Sequence, residues 1–134
     1  MFNLGDVLSK EKATNLSPVV LAFIGDAVYS LFVREKLVFT SDLKTGELSA
    51  RTVDSVKATA QAKFFKDIEP LLTEDEMAVY KRARNAKKPT KSKSASVSEY
   101  NSSTGFEALL GFLYVTGNVG RLNFLLNKGE VNEG

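Results

Sequence analysis

The stretch Val19–Val33 reads VVLAFIGDAVYSLFV and carries a single charged side chain, Asp26. Ser17-Pro18 precedes it, which places a helix-capping residue and a first-turn proline at its start, so we predict a helix that continues to about Lys36. Apolar residues cover nearly every face of this helix rather than one stripe. We therefore expect it to be buried among other helices, or partly against a second copy of the chain.

A charge is costly in such a setting unless it is paired or binds a metal, which makes Asp26 the first candidate functional residue. Glu107 lies in a similar apolar stretch, Gly105–Tyr114 (GFEALLGFLY). Two carboxylates on separate apolar helices can be brought together in a helical bundle as oxygen ligands for a hard cation such as Mg²⁺. The sequence thus predicts two buried acids at one metal site. Gly25, next to Asp26, would let another backbone or a ligand approach closely.

Each acid also has a purely structural interpretation. Asp26 could pair with Arg34 or Arg51, or lie at a partly wet dimer interface. For Glu107, the pattern Thr104-Gly105-Phe106-Glu107 fits a capping box, in which the glutamate stabilises a helix start without any catalysis. The presence of both acids in matching settings is what favours the metal site.

Composition restricts the chemistry. The 134 residues contain no cysteine and no histidine. This excludes disulfides, thiolate nucleophiles, zinc sites of the usual ligand set and imidazole catalysis. The length fits one domain over residues 1–134. No apolar run is long enough to span a membrane and the N-terminus lacks the pattern of a signal peptide, so we expect a cytoplasmic protein.

The remaining pattern is helical throughout. Thr73 and Glu76 form a second capping-box pattern, and the serine- and lysine-rich segment 87–99 is predicted to be a flexible loop inside the domain. No alternation of strand type is present, so the predicted fold class is an all-α bundle. Further helices are expected at about 48–68, 73–86, 103–115 and 122–129.

Positive charge is concentrated in one segment. Residues 77–98 hold seven bases and no acid, although the net charge of the whole chain is only +2. Such a run is most often a solvated face. Here it leads directly into the helix of Glu107, so phosphate-binding charge and a candidate metal site would be neighbours. The combination suggests hydrolysis of a phosphodiester bond, in which Mg²⁺ activates a water without help from histidine.

Two segments, Ala22–Val28 (AFIGDAV) and Phe106–Gly111 (FEALLG), resemble the acid-bearing helices of the ribonuclease III family. Their order, the basic connection and the short length without a following double-stranded-RNA-binding domain resemble its bacterial Mini-ribonuclease III subgroup. The resemblance extends from about residue 16 to 126. It implies a homodimeric ribonuclease III-type helical bundle that cleaves double-stranded RNA with Mg²⁺, the implied substrate being the precursor of large-subunit (23S) ribosomal RNA.

By the same resemblance, Asp26 and Glu107 are the catalytic, metal-binding pair, and Phe23 packs across the dimer interface. Ordinary packing of Phe23 in the core is the alternative for this residue. Ribonuclease III proper has two further acids at the positions of Ala22 and Thr104, so this site keeps two of four acids, as Mini-ribonucleases III do. Contacts to the RNA are expected from the basic segment, at Arg82, Arg84, Asn85, Lys87, Lys88 and Lys91.

Two other hypotheses stay open. The first is a catalytically weak module that binds double-stranded RNA on the same fold, motivated by Ala22 and Thr104. The second is a structural helical dimer in which Asp26 is replaceable by asparagine with little consequence beyond stability. Cleavage assays separate all of them. Four other residues could line the site: Thr104, Asn101, Lys57 and Gln61.

Overall fold

The computed structural model describes residues 5–40, 42, 44–88 and 96–129. This part of the chain forms seven α-helices and contains no strand, which confirms the predicted all-α fold. A short 3-10 turn, Glu69–Leu71, joins α4 to α5. The helices are α1 (Lys10–Thr14), α2 (Pro18–Thr40), α3 (Thr45–Val56), α4 (Ala58–Ile68), α5 (Glu74–Asn85), α6 (Val97–Val115) and α7 (Val119–Leu126).

Helix α6 forms the centre of the fold. Helices α2, α4, α5 and α7 all contact it, and this is why its sequence is apolar on nearly every face. Tyr29 of α2, Phe64 of α4 and Phe106 of α6 meet with ring centroids between 5.1 and 5.4 Å apart, and this aromatic cluster fills the space between the three helices. The fully buried leucines of α6 are Leu109, Leu110 and Leu113.

Helices α2 and α6 cross at two glycines. A Cβ atom built on Gly25 would lie 1.7 Å from the backbone carbonyl oxygen of Glu107, and one built on Gly111 would lie 2.0 Å from the carbonyl oxygen of Leu21. Neither distance leaves room for a methyl group, so the two backbones are in direct contact at this crossing. The close approach expected at Gly25 is therefore confirmed.

The predicted helix over 48–68 is two helices. Lys57 adopts an extended conformation with φ −61° and ψ 152°, and this residue separates α3 from α4. The Gln61 side chain donates to the carbonyl of Val56 at 2.9 Å, which satisfies an acceptor at the end of α3. The apolar periodicity is continuous across the break because both helices turn an apolar face to the core, and for this reason the sequence pattern did not reveal it.

Helix α6 begins at Val97, earlier than the predicted start near Ser103. Its capping box is formed by Ser96 and Glu99, whose side chains each accept a hydrogen bond from the other's backbone amide. The capping interpretation of Glu107 is therefore wrong, since Glu107 lies in the helix interior. The predicted loop 87–99 is also too long at its C-terminal end, while its residues 89–95 lie outside the described part of the chain.

The start of α5 and the extent of α2 are closer to their predictions. Thr73 and Glu76 form the predicted capping box at the start of α5, and α2 runs to Thr40 rather than Lys36. Within the described ranges, none of the helices combines the length and the hydropathy that a membrane span requires.

We expect Gly25→Ala to destabilise the protein strongly, because the new methyl group would have to displace the α6 backbone; overpacking of this kind costs about 1–3 kcal/mol or more. Gly120→Ala is the matched control, since nothing lies within 4 Å of a Cβ at that helical position, and it should be neutral or slightly stabilising. Thermal or urea unfolding measures both. Equal stability of the two variants would contradict a direct backbone contact at the crossing.

Candidate active site

The two candidate acids meet at the α2–α6 crossing. Asp26 follows Gly25, whose Cα packs against the backbone carbonyl of Glu107. This contact brings the two acids together at the crossing, where both line one groove. The structure thus brings together the two residues that the sequence singled out, although they lie far apart along the chain.

The two acids differ in their exposure. Asp26 is solvent-exposed, so the prediction that both acids are buried is wrong for this residue. Helix α2 is apolar all round because its outer face also carries apolar side chains, not because that face is covered within the chain. The Arg34 side chain donates to Ser30 at 3.3 Å, one turn back along α2, and the described ion pairs do not include Asp26.

Glu107 is the acid whose ionised form is destabilised by burial. Burial raises the pKa of the Glu107 carboxyl from its ordinary value of 4.5 to about 8, and the hydrogen bond and the negative charge of Asp26 contribute to this rise. A hydrogen bond from Gln61 opposes the shift. The Glu107 carboxyl therefore holds its proton more tightly in the folded chain than an ordinary carboxyl does.

Both carboxyl groups open onto one groove of about 470 Å³. Ala22 and Thr104 line the same groove, so the two positions where ribonuclease III proper has further acids face the site. Its complete lining is Val19, Ala22, Phe23, Asp26, Lys88, Tyr100, Thr104 and Glu107.

Of the other residues that could line the site, Gln61 of α4 contacts one of the two acids. Its side-chain nitrogen donates to Glu107 Oε2 at 3.2 Å. Lys57 instead forms an ion pair with Asp54 at 2.8 Å, and Asn101 is not part of the groove wall. Tyr100 also lines the groove, and no sequence pattern pointed to it. It lies one turn before Thr104 on α6, and the Thr104 hydroxyl donates to the Tyr100 carbonyl at 3.0 Å. Because α6 was predicted to begin near Ser103, Tyr100 was not expected to lie on the same helix as Thr104.

The predicted RNA-binding residues fall into different environments. Arg82 donates to the backbone carbonyls of Thr14 and Leu16, so this guanidinium ties α5 to the end of α1. The Arg84 guanidinium lies 5.5 Å from the centre of the Tyr80 ring and donates to Asn85 at 3.2 Å.

Among the described residues of this segment, Lys88 is the base that lines the groove. Its ammonium group donates to the Arg84 carbonyl at 2.6 Å, and partial burial lowers the pKa of Lys88. Lys87 is exposed, and Lys91 lies outside the described residues. A positive charge is thus held beside the two acids.

The donor set suits Mg²⁺. This ion is bound in enzymes by one or two carboxylates and completes its shell with waters and substrate phosphates. Asp26 and Glu107 supply two such carboxylates at an open groove. In the described ranges, this groove included, no group of three or more His, Cys, Asp or Glu side chains could hold a metal ion. The residues present therefore fit a site that relies on substrate and water for most of its ligands.

Comparison with known proteins agrees with this geometry. The Ribonuclease III domain family model matches residues 19–118, which span the groove residues of α2 and α6. This chain belongs to the ribonuclease III family. It is 48% identical over 121 residues to the Mini-ribonuclease 3 of Thermoanaerobacter sp. (strain X514), an alignment covering 90% of this chain and 85% of that protein.

Two further relatives support the assignment. The Mini-ribonuclease 3 of Streptococcus pneumoniae (strain ATCC BAA-255 / R6) is 41% identical over 114 residues, covering 84% of this chain and 89% of that protein. An X-ray crystal structure of a Fusobacterium nucleatum protein is similar with a TM-score of 0.76 at 30% identity, covering 84% of this chain and 90% of that one. The chain is accordingly an endoribonuclease of the ribonuclease III family, a family that generally depends on divalent metal ions.

The raised pKa of Glu107 predicts a pH dependence of stability. Between its ordinary pKa of 4.5 and its folded pKa of about 8, the folded state holds a proton that the unfolded state releases, so the free energy of unfolding falls as pH rises across this window. We expect Glu107→Gln to remove this loss, so that in chelator-containing buffer the variant gains stability relative to wild type as pH rises. Unfolding at several pH values measures it.

Glu35→Gln is the control for removing one carboxylate, since Glu35 lies exposed on α2. If wild type and Glu107→Gln lost stability in parallel between about pH 5 and about pH 8, Glu107 would not carry the desolvation described above.

Proposed function

We propose that this chain is a Mg²⁺-dependent endonuclease that cleaves double-stranded RNA, with Asp26 and Glu107 as the catalytic, metal-binding pair within a single catalytic domain. The observation that carries the proposal is that these two acids, one from α2 and one from α6, lie in the wall of the same open groove. The likeness to proteins named Mini-ribonuclease 3 supports it. We further propose, from the family resemblance, that the substrate is the 23S ribosomal RNA precursor in the cytoplasm.

In this mechanism both carboxylates are ionised. Bound Mg²⁺ would supply an activated water and would stabilise the charge on the scissile phosphate and the departing oxygen. For the chain's own residues, the consequence is that Glu107 must release its proton before both acids can act as ligands. The raised pKa of the Glu107 carboxyl makes this release unfavourable at neutral pH without a cation. Metal affinity is therefore expected to rise with pH up to about pH 8.

A double-stranded RNA substrate fits the charge around the groove. A-form RNA is recognised mainly through its phosphates and 2′-hydroxyl groups, because its major groove is too narrow for side chains to read the bases. Lys88 lies in the wall of the groove that holds the two acids, and Arg84 and exposed Lys87 are its neighbours along the chain. Arg82 is engaged with backbone carbonyls, so the proposed RNA contacts depend less on it than on the others.

The first test is cleavage of a long, perfectly paired RNA with Mg²⁺. We expect wild type to cut, and Asp26→Asn and Glu107→Gln each to lose at least about 100-fold in rate, since each removes one of only two charged metal ligands. Glu35→Gln should retain wild-type activity, because it removes an exposed acid of α2 outside the groove.

A different outcome would favour the runner-up function. If wild type bound the RNA without metal and never cut it, the alanine and threonine at positions 22 and 104, which face the groove, would mark a lost site. The chain would then be a double-stranded-RNA-binding module on the same fold. Full activity of Asp26→Asn would contradict both the metal site and the proposed mechanism.

We also propose that the protein is a homodimer joined through the outer face of α2. Several large apolar side chains of this helix are exposed, and Phe23, at 81% exposure, is the most accessible of them. Val20, Phe23, Leu31 and Val38 recur at spacings close to whole helical turns, so they lie along one stripe. Phe23 also lines the groove, which would place the dimer interface beside the catalytic acids.

We expect Phe23→Asp to convert the dimer to a monomer, because two copies of the variant would have to bury two unpaired carboxylates at the symmetric interface. Sedimentation velocity measures this. Phe124→Asp is the control, since it places an acid at a half-exposed aromatic position of α7 beside Arg121 and Lys128. A wild type that sediments as a monomer at all concentrations would refute the dimer.

The basic segment gives a separate prediction. Replacing Lys87, Lys88 and Lys91 by glutamine should weaken RNA binding and lower the slope of log affinity against log salt by up to about one unit for each phosphate that the variant no longer neutralises. Binding measured across a salt series with a catalytically inactive variant tests this. An unchanged slope would show that these lysines do not contact phosphate. The control replaces three exposed lysines on other helices, Lys12, Lys63 and Lys66.

A further inference from the structure

Gln61 is a buried polar residue that the mechanism above does not use. Only 2% of its surface is exposed, and its side-chain nitrogen donates both to the carbonyl of Val56 at 2.9 Å and to Glu107 Oε2 at 3.2 Å. The orientation of the amide is fixed by the Val56 carbonyl, which can only accept: a reversed amide would place its oxygen against that carbonyl oxygen. Helix α4 thus delivers two N–H donors, one of them to a proposed metal ligand.

The oxygen atom of the same side-chain amide differs from the nitrogen in its hydrogen bonding. The Gln61 side-chain oxygen is buried and has no hydrogen-bond partner among the described residues. A buried acceptor without a donor lowers stability, so an apolar side chain of similar volume would remove this particular cost. The bond to Val56 serves the α3–α4 junction. The bond to Glu107 connects α4 to α6 at the site.

The hydrogen bond from Gln61 is compatible with metal binding by Glu107. Gln61 donates from α4 to one oxygen of this carboxyl group, Oε2, at 3.2 Å. A carboxylate has two oxygens with several lone pairs, so it can accept an amide N–H and bind a cation at the same time. Gln61 can therefore hold Glu107 in one orientation while Mg²⁺ is bound.

We propose that Gln61 is a positioning residue for the metal site, whose amide N–H fixes the orientation of the Glu107 carboxylate for binding Mg²⁺. The inference depends on the proposed function, because it takes Glu107 as a metal ligand. Partners that orient a ligating carboxylate typically change metal affinity by about 10- to 100-fold when removed. Gln61 therefore acts through Glu107 and has no contact of its own with the RNA in this proposal.

The first experiment compares wild type with Gln61→Met, which keeps the volume and removes the donor. The readouts are the Mg²⁺-induced rise in melting temperature without RNA, and the Mg²⁺ dependence of cleavage. We expect the Mg²⁺ concentration for half-maximal effect to rise about 10- to 100-fold in both, with near-wild-type cleavage at saturating Mg²⁺. Ile68→Val is the control, since it weakens packing of the same helix at a fully buried position away from Glu107. It should leave both Mg²⁺ midpoints unchanged.

A second experiment uses the wild-type chain, so it does not depend on the variant folding. Gln61 is the only glutamine in the 134-residue sequence, and ¹⁵N-labelling of the glutamine side-chain amide gives one pair of proton resonances. We expect this pair to shift saturably with Mg²⁺, at the midpoint of the thermal response, and to lose that shift in Asp26→Asn.

The outcomes separate this inference from the proposed function. If Mg²⁺ stabilises wild type and supports cleavage while the Gln61 resonances stay fixed, or if Gln61→Met keeps the wild-type Mg²⁺ midpoint, the positioning role is overturned and the metal site stands. If Mg²⁺ neither stabilises wild type nor supports cleavage, the proposed function fails and this inference fails with it.

Discussion

The contact between the backbones of α2 and α6 is the constraint on which the rest of the site depends. Gly25 packs against the carbonyl of Glu107, and Gly111 packs against the carbonyl of Leu21. Side chains at either position would separate the helices. Because Gly25 immediately precedes Asp26 and contacts the residue that bears the second carboxyl group, a single packing feature sets both the helix crossing and the distance between the two acids.

The site is maintained at a cost to the fold. Glu107 is partly buried on the central helix, its pKa is raised by desolvation and by Asp26, and a buried amide oxygen lies close by without a partner among the described residues. Each of these features lowers stability in the absence of a ligand. Favourable packing of the core offsets this loss of stability. The core includes the aromatic cluster of Tyr29, Phe64 and Phe106 and the buried leucines of α6.

The errors in the sequence interpretation have identifiable causes. Two capping-box patterns compete near the start of α6, and the true one at Ser96 and Glu99 lies in polar sequence that resembles a loop. The pattern at Thr104 is a coincidence of residue types inside a helix. Likewise, periodic apolar residues continue across Lys57, so periodicity alone cannot reveal that the chain changes direction there. Local patterns report which faces are apolar, but not where a helix axis bends.

The sequence by itself determined the all-α class, most of the helices and the two candidate acids, because apolar periodicity, capping chemistry and isolated charges are local properties of the chain. Only the tertiary structure decided that Asp26 is exposed while Glu107 is the desolvated acid, that Lys88 and Tyr100 share their groove, and that Gln61 reaches Glu107 from α4. Burial and contact between distant residues depend on how helices cross, and that crossing is fixed by packing between segments far apart in the chain.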